Sequence, residues 1–219
     1  MTNPMISACS RGEFENGWEK IVLLKSDGIP IPCLLRPSQT GAWRIMSAVH
    51  GKHQLPESTY FTDALNSQDG LLLFDIYASG ELGNEYDKPN NWWDYHDITR
   101  ACLWMGRPML GNWINDYRLL ADWLKATYPV KDLTLFGYRD PAIAALLSIC
   151  LYNNADKVVL ENCVTSFDWS ECAIKENALT MALSVPDILY CGDICDFEAI
   201  VGRENISWIN PIKPDGTPK

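Results

Sequence analysis

The chain has 219 residues, 47% of them hydrophobic and 21% charged, and a formal net charge of −10. That length and composition suit one globular domain with a continuous core. The acidic balance, without a cluster of Lys and Arg, excludes a nucleic-acid footprint, and no apolar run approaches the roughly 20 residues that span a bilayer.

Met1 to Trp18 is polar, carries Glu13 and Glu15, and lacks the apolar stretch of a signal peptide. Residues 1–17 are expected as a flexible N-terminal segment of a single domain spanning 1–219. Residues 18–24 and 31–35 read as short strands joined through Ser26-Asp27-Gly28, with Pro32 restricting the second to a sheet edge. Further strand-like runs lie at 43–49 (WRIMSAV), 70–77 (GLLLFDIY), 132–136 (DLTLF), 157–160 (KVVL) and 206–209 (ISWI). Runs this apolar suit a sheet covered on both faces.

Helical patterns separate these runs. Trp113, Tyr117, Leu120, Leu124 and Tyr128 form one stripe at spacings of three and four, with Asn112 as the expected cap. Residues 141–151 (PAIAALLSICL) are apolar almost all round and should be buried, with Pro141 in the first turn. The alternation predicts a three-layer α/β/α sandwich around a mainly parallel sheet of about seven strands, with function beyond the strands' C-terminal ends. The eight cysteines form no C-x-x-C pair. Cys191 and Cys195 lie near Asp193 and Asp196 with no histidine beside them, so no metal or other cofactor is expected. Reduced thiols in a cytoplasmic protein are the simplest expectation.

Several segments follow one another in a telling order. Val49-His50-Gly51 comes after the third strand, and Asp75-Ile76-Tyr77-Ala78-Ser79-Gly80-Glu81-Leu82-Gly83 after the fourth. Gly106-Arg107-Pro108-Met109-Leu110-Gly111 leads to Asp116, and residues 133–147 form a strand, a turn and a helix. Val185-Pro186-Asp187-Ile188-Leu189 leads through Cys195-Asp196-Phe197 to Asn210-Pro211-Ile212. From about Trp18 onward the chain thus resembles an α/β-hydrolase of the acetyl xylan esterase type. The resemblance implies an oxyanion-hole turn at His50 and Gly51, and a cleft at a G-x-S-x-G nucleophile elbow that includes Tyr138 and Asp140. Tyr77 and Ala78 replace the Arg-Gly of the loop after the fourth strand.

The elbow reads Gly137-Tyr138-Arg139-Asp140-Pro141-Ala142, so Arg139 stands where the family has serine. A guanidinium is always protonated and has no acceptor, so it cannot attack a carbonyl. The matching acid position holds Lys213, with Asp215 two residues on as a substitute acid or a turn residue. The family's last strand and catalytic-histidine loop find no counterpart, because His50, His53 and His96 all precede the elbow. A degenerate hydrolase fold without Ser-His-Asp chemistry is therefore expected, binding a ligand or partner.

Asp140 is the first alternative nucleophile; its plainer reading is a cap on the following helix. Cys163 is a second, read as a buried inert thiol. The active alternative is an ester hydrolase with a non-standard nucleophile, or one completed by oligomerisation. Arg139 at a helix N-terminus suits an anion. Trp92, Trp93, Tyr95 and His96 read either as a packed lid or as the wall of a small-molecule or carbohydrate site. An open sheet edge would suit a homo-oligomer.

Overall fold

The computed structural model describes residues 5–83, 95–168, 170 and 180–219. Its strands are β1 (Ile6–Glu13), β2 (Glu19–Lys25), β3 (Pro30–Arg36), β4 (Ala42–Ala48), β5 (Gly70–Phe74), β6 (Asp132–Tyr138), β7 (Lys157–Glu161) and β8 (Ile206–Ile209). Helices are α1 (Thr59–Asn66), α2 (His96–Trp104), α3 (Met109–Thr127), α4 (Pro141–Tyr152), α5 (Ile188–Cys191) and α6 (Ile194–Val201). The strands form one sheet in the order β1-β2-β3-β5-β4-β6-β7-β8. Pairing is parallel from β5 through β8 and antiparallel among β1, β2, β3 and β5.

Period-two alternation of apolar side chains builds the three layers. Trp43, Ile45, Leu133, Leu135, Val158 and Leu160 face a core closed by α3, α4 and α6. Met46, Ala48, Leu71, Leu73, Phe136 and Val159 point the other way, onto Phe61 and Ala64 of α1. The α3 stripe is buried at Trp113, Tyr117, Leu120 and Leu124. The Tyr117 hydroxyl donates to the Phe136 carbonyl at 2.6 Å, which satisfies the one polar atom that this ring carries into the core. Helix α4, buried from Pro141 to Ile149, packs against both α3 and α6.

Four local expectations need correction. Residues 6–13, expected in a flexible segment, form β1, paired with β2. Its side chains are almost all exposed, so backbone pairing holds it and no apolar alternation announces it. β3 is an internal strand despite Pro32. The β3–β5 ladder begins at Cys33↔Phe74, so Pro32 lies past its end and contributes its carbonyl, which accepts from the Asp75 N–H at 3.1 Å. Helix α3 begins at Met109 behind Pro108, a full turn before Asn112, which therefore sits inside the helix. The sheet has eight strands, the additional one being β1.

One buried ion pair ties these elements together. Lys25 Nζ of β2 lies 2.8 Å from Asp116 Oδ1 of α3, with side chains 3% and 1% exposed. The other Asp116 oxygen accepts the Tyr77 N–H at 3.2 Å, and Trp113 Nε1 donates to the Tyr77 carbonyl at 2.9 Å. The loop after β5 is thereby fastened to α3. At the far edge, Ile212 bridges Val164 in parallel and Pro218 in antiparallel fashion, so the tail folds back beside the end of β8.

Candidate functional site: an elbow that presents arginine

The turn from β6 into α4 is an elbow in shape. Arg139 has φ 64, in the left-handed region that L-residues enter at a cost of about 1–2 kcal/mol. Gly137 is required by the same geometry: a Cβ there would stand 2.1 Å from the Ala142 nitrogen and 2.3 Å from its Cα. Ala142, Ala144 and Ala145 are fully buried, so the helix lies close against the strand it follows. The Arg139 N–H donates to the Glu161 carbonyl of β7 at 2.8 Å, and its carbonyl accepts from Ala142 at 3.0 Å. Both strands therefore hold the turn, and the Arg139 side chain is exposed above it.

Asp140 follows in a helical conformation, φ −56 and ψ −37, and its side chain makes no capping hydrogen bond. It is only 6% exposed, and its carboxylate accepts the Thr180 hydroxyl. The capping reading is thus replaced by a bond to a distant hydroxyl, made because the carboxylate turns inward from the helix end. Cys163, at the end of the neighbouring strand, is 1% exposed. Burial pushes its thiol well above the ordinary range, and the Asp140 charge adds to that, so it is held protonated and unreactive. Tyr138 is buried, and its hydroxyl accepts from Asn162 Nδ2 at 2.9 Å.

The register Ala48↔Tyr138 sets the turn after β4 beside the elbow. Its N–H groups are already engaged: His50 with Gln54 Oε1 at 3.2 Å, Gly51 with Ala48 O at 2.9 Å, Lys52 with Asp75 Oδ1 at 2.7 Å. Asp75, 1% exposed, also accepts Lys52 Nζ at 2.6 Å and the Glu81 N–H at 2.9 Å, and Glu81 closes the pair with Lys52. Burial works against the Lys52 charge, but the bonds to Asp75 and Glu81 outweigh it and hold its pKa above the ordinary value. Gly51 and Gly80 leave room for this staple, since a Cβ at Gly80 would meet the Asp75 carboxyl carbon at 2.3 Å. The residues read as an oxyanion turn and its neighbouring loop thus form one carboxylate-centred brace.

The other candidates fall apart in space or in role. Tyr95 is 5% exposed; its hydroxyl donates to the Val49 carbonyl and its ring meets Trp113 edge-on at 5.4 Å. It is packed as an interior anchor, with its polar tip satisfied inside the protein. His96 opens α2 and sits 3.2 Å from Asp97. Trp92 and Trp93 lie outside the described residues. Asp215 accepts the Thr217 N–H and hydroxyl at 2.9 and 2.7 Å, bonds that lower its pKa, and so is a turn residue. Among the described residues no group of His, Cys, Asp and Glu could hold a metal ion, and no helix is long and apolar enough to cross a membrane.

Thr180 and Lys52 are not among the residues singled out from the sequence. Thr180 lies 40 positions from Asp140, and a lone Thr gives no signal. Lys52 had one available signal, its place directly after His50-Gly51, where a cation can meet the aspartate of the next loop.

No family model and no curated protein sequence matches the chain. Solved structures do. A Bacteroides fragilis protein described as an acetyl xylan esterase superposes with a TM-score of 0.71 at 12% identity, over 97% of this chain and 65% of its own. Acetyl xylan esterase 1 from a Thermoanaerobacterium species gives 0.51 at 14%, over 78% and 56%. A Pyrococcus furiosus esterase gives 0.55 at 12%, over 97% and 90%. The chain therefore has an α/β-hydrolase fold of the acetyl xylan esterase-like kind, and spans less than two thirds of the two acetyl xylan esterase structures.

Proposed function

We propose that this α/β-hydrolase-fold chain is a binding protein that captures a small carboxylate- or ester-bearing ligand at its elbow and does not hydrolyse it. The observation that carries this reading is Arg139, exposed at φ 64 on the elbow. A nucleophile there needs a lone pair and a base; a guanidinium supplies only donors. Its fork matches a carboxylate in two parallel hydrogen bonds, and the N-terminus of α4 beneath it favours negative charge.

The names of the similar solved structures suggest sugar esters or their acid products as the ligand class. The runner-up is ester hydrolysis through Asp140, or through a site completed by a second copy. Its attacking carboxylate would have to leave the Thr180 hydroxyl and emerge from a 6% exposed position.

Acetate and acetylated xylo-oligosaccharides are expected to raise the melting temperature of the wild-type chain. Arg139→Ala should abolish that shift, and Arg139→Lys should keep only part of it, because an ammonium lacks the fork. Equal shifts in wild type and Arg139→Ala would overturn the reading.

A further inference from the structure

A cavity of about 350 Å³ lies between α6 and the outermost strand β8, lined by Cys195, Glu198, Arg203, Ile206, Trp208 and Lys219. Ile206 and Trp208 point to the same face of β8, and both are half-buried. The Trp208 Nε1 donates to Glu198 Oε1 at 2.6 Å. That bond fixes the indole plane, so the ring stands as an oriented apolar wall.

Arg203 and Lys219 are both exposed on the rim, and neither makes an ion pair among the described residues. In a chain of net charge −10, the lining carries two cationic side chains, Arg203 and Lys219, against one carboxylate, Glu198, so its side-chain charge is locally positive. The volume is in the range of small-molecule sites. β8 lies two strands from β6 in the sheet order, and Ile206 and Trp208 pair with Val158 and Leu160 of the intervening β7. The cavity is therefore lateral to the elbow and separate from it.

We propose that this α6–β8 cavity is a binding site for a small ring-bearing carboxylate, with the ring face on Trp208 and the carboxylate between Arg203 and Lys219. A uronic acid and an aromatic acid share that chemistry. Cys195, exposed at the cavity wall, supplies a local reporter.

The full chain would be titrated calorimetrically with D-glucuronate and with benzoate, using glucose and benzyl alcohol as neutral controls. Binding of either acid, with the neutral controls silent, is expected; which acid binds tells whether the ring face is a sugar or an arene. The Arg203→Ala/Lys219→Ala double variant, altered only at exposed positions, should weaken binding by at least about tenfold. Arg139→Ala should leave it within about twofold, since it lies outside this cavity. Saturating acid should slow thiol labelling of Cys195 relative to exposed Cys9. Neutral controls binding as well as the acids, or unchanged affinity in the double variant, would overturn the proposal. Loss of binding in Arg139→Ala alone would also overturn it, placing the acid at the elbow instead.

Discussion

Gly137 is the residue on which the elbow's shape depends most sharply. A methyl group at 2.1 Å from a backbone nitrogen has no flexible side chain to push aside, so strand and helix would have to separate. Gly137→Ala should destabilise the chain by more than about 3 kcal/mol or prevent folding, measured by urea denaturation; a loss under about 1 kcal/mol would contradict this packing. Lys52 offers a test with a defined sign. Its folded-state pKa is raised, so its contribution to stability is complete below the ordinary lysine value and is lost as pH rises through the folded one. The stability gap between wild type and Lys52→Met should therefore be widest near pH 8 and narrow towards pH 11; a constant gap would mean the Nζ charge is irrelevant. Much at this scale was legible beforehand. Gly137 and Arg139 could be placed because a strand, a turn and small helix residues adjoin them. The Asp140–Thr180 bond could not, since it joins residues that no local pattern relates.

Among the elements, the buried Lys25–Asp116 pair couples β2, α3 and the loop after β5. Burial raises the Asp116 pKa and the Lys25 charge offsets part of that. Lys25→Met would leave an uncompensated carboxylate in the core, a loss of about 3–5 kcal/mol at neutral pH. The loss should shrink as pH falls through the raised Asp116 value, because the protonated acid is the form that burial tolerates. Lys25→Met/Asp116→Leu should recover most of the stability, and a double variant as unstable as the single one would contradict the pairing. The strands from β2 to β8 were readable because runs such as Leu71-Leu72-Leu73-Phe74 are buried on both faces. β1 was not, because an exposed edge strand is held by backbone bonds that carry no sequence signature. Pro32 misled because its missing N–H falls past the end of a ladder, where a proline removes nothing. Asn112 misled because a good cap residue can also sit one turn inside a helix.

For the whole molecule, the proposed loss of ester chemistry rests on one turn. The strand order, the elbow geometry and the similarity to esterase structures describe an α/β-hydrolase fold. The residue at its apex cannot attack, and the neighbouring carboxylate and thiol are buried. The direct measurement is acetate release from p-nitrophenyl acetate and from acetylated xylan by the wild type and by Asp140→Asn. An arginine elbow predicts that both proteins match the uncatalysed rate. A clear wild-type rate that Asp140→Asn abolishes would contradict it and establish an aspartate nucleophile.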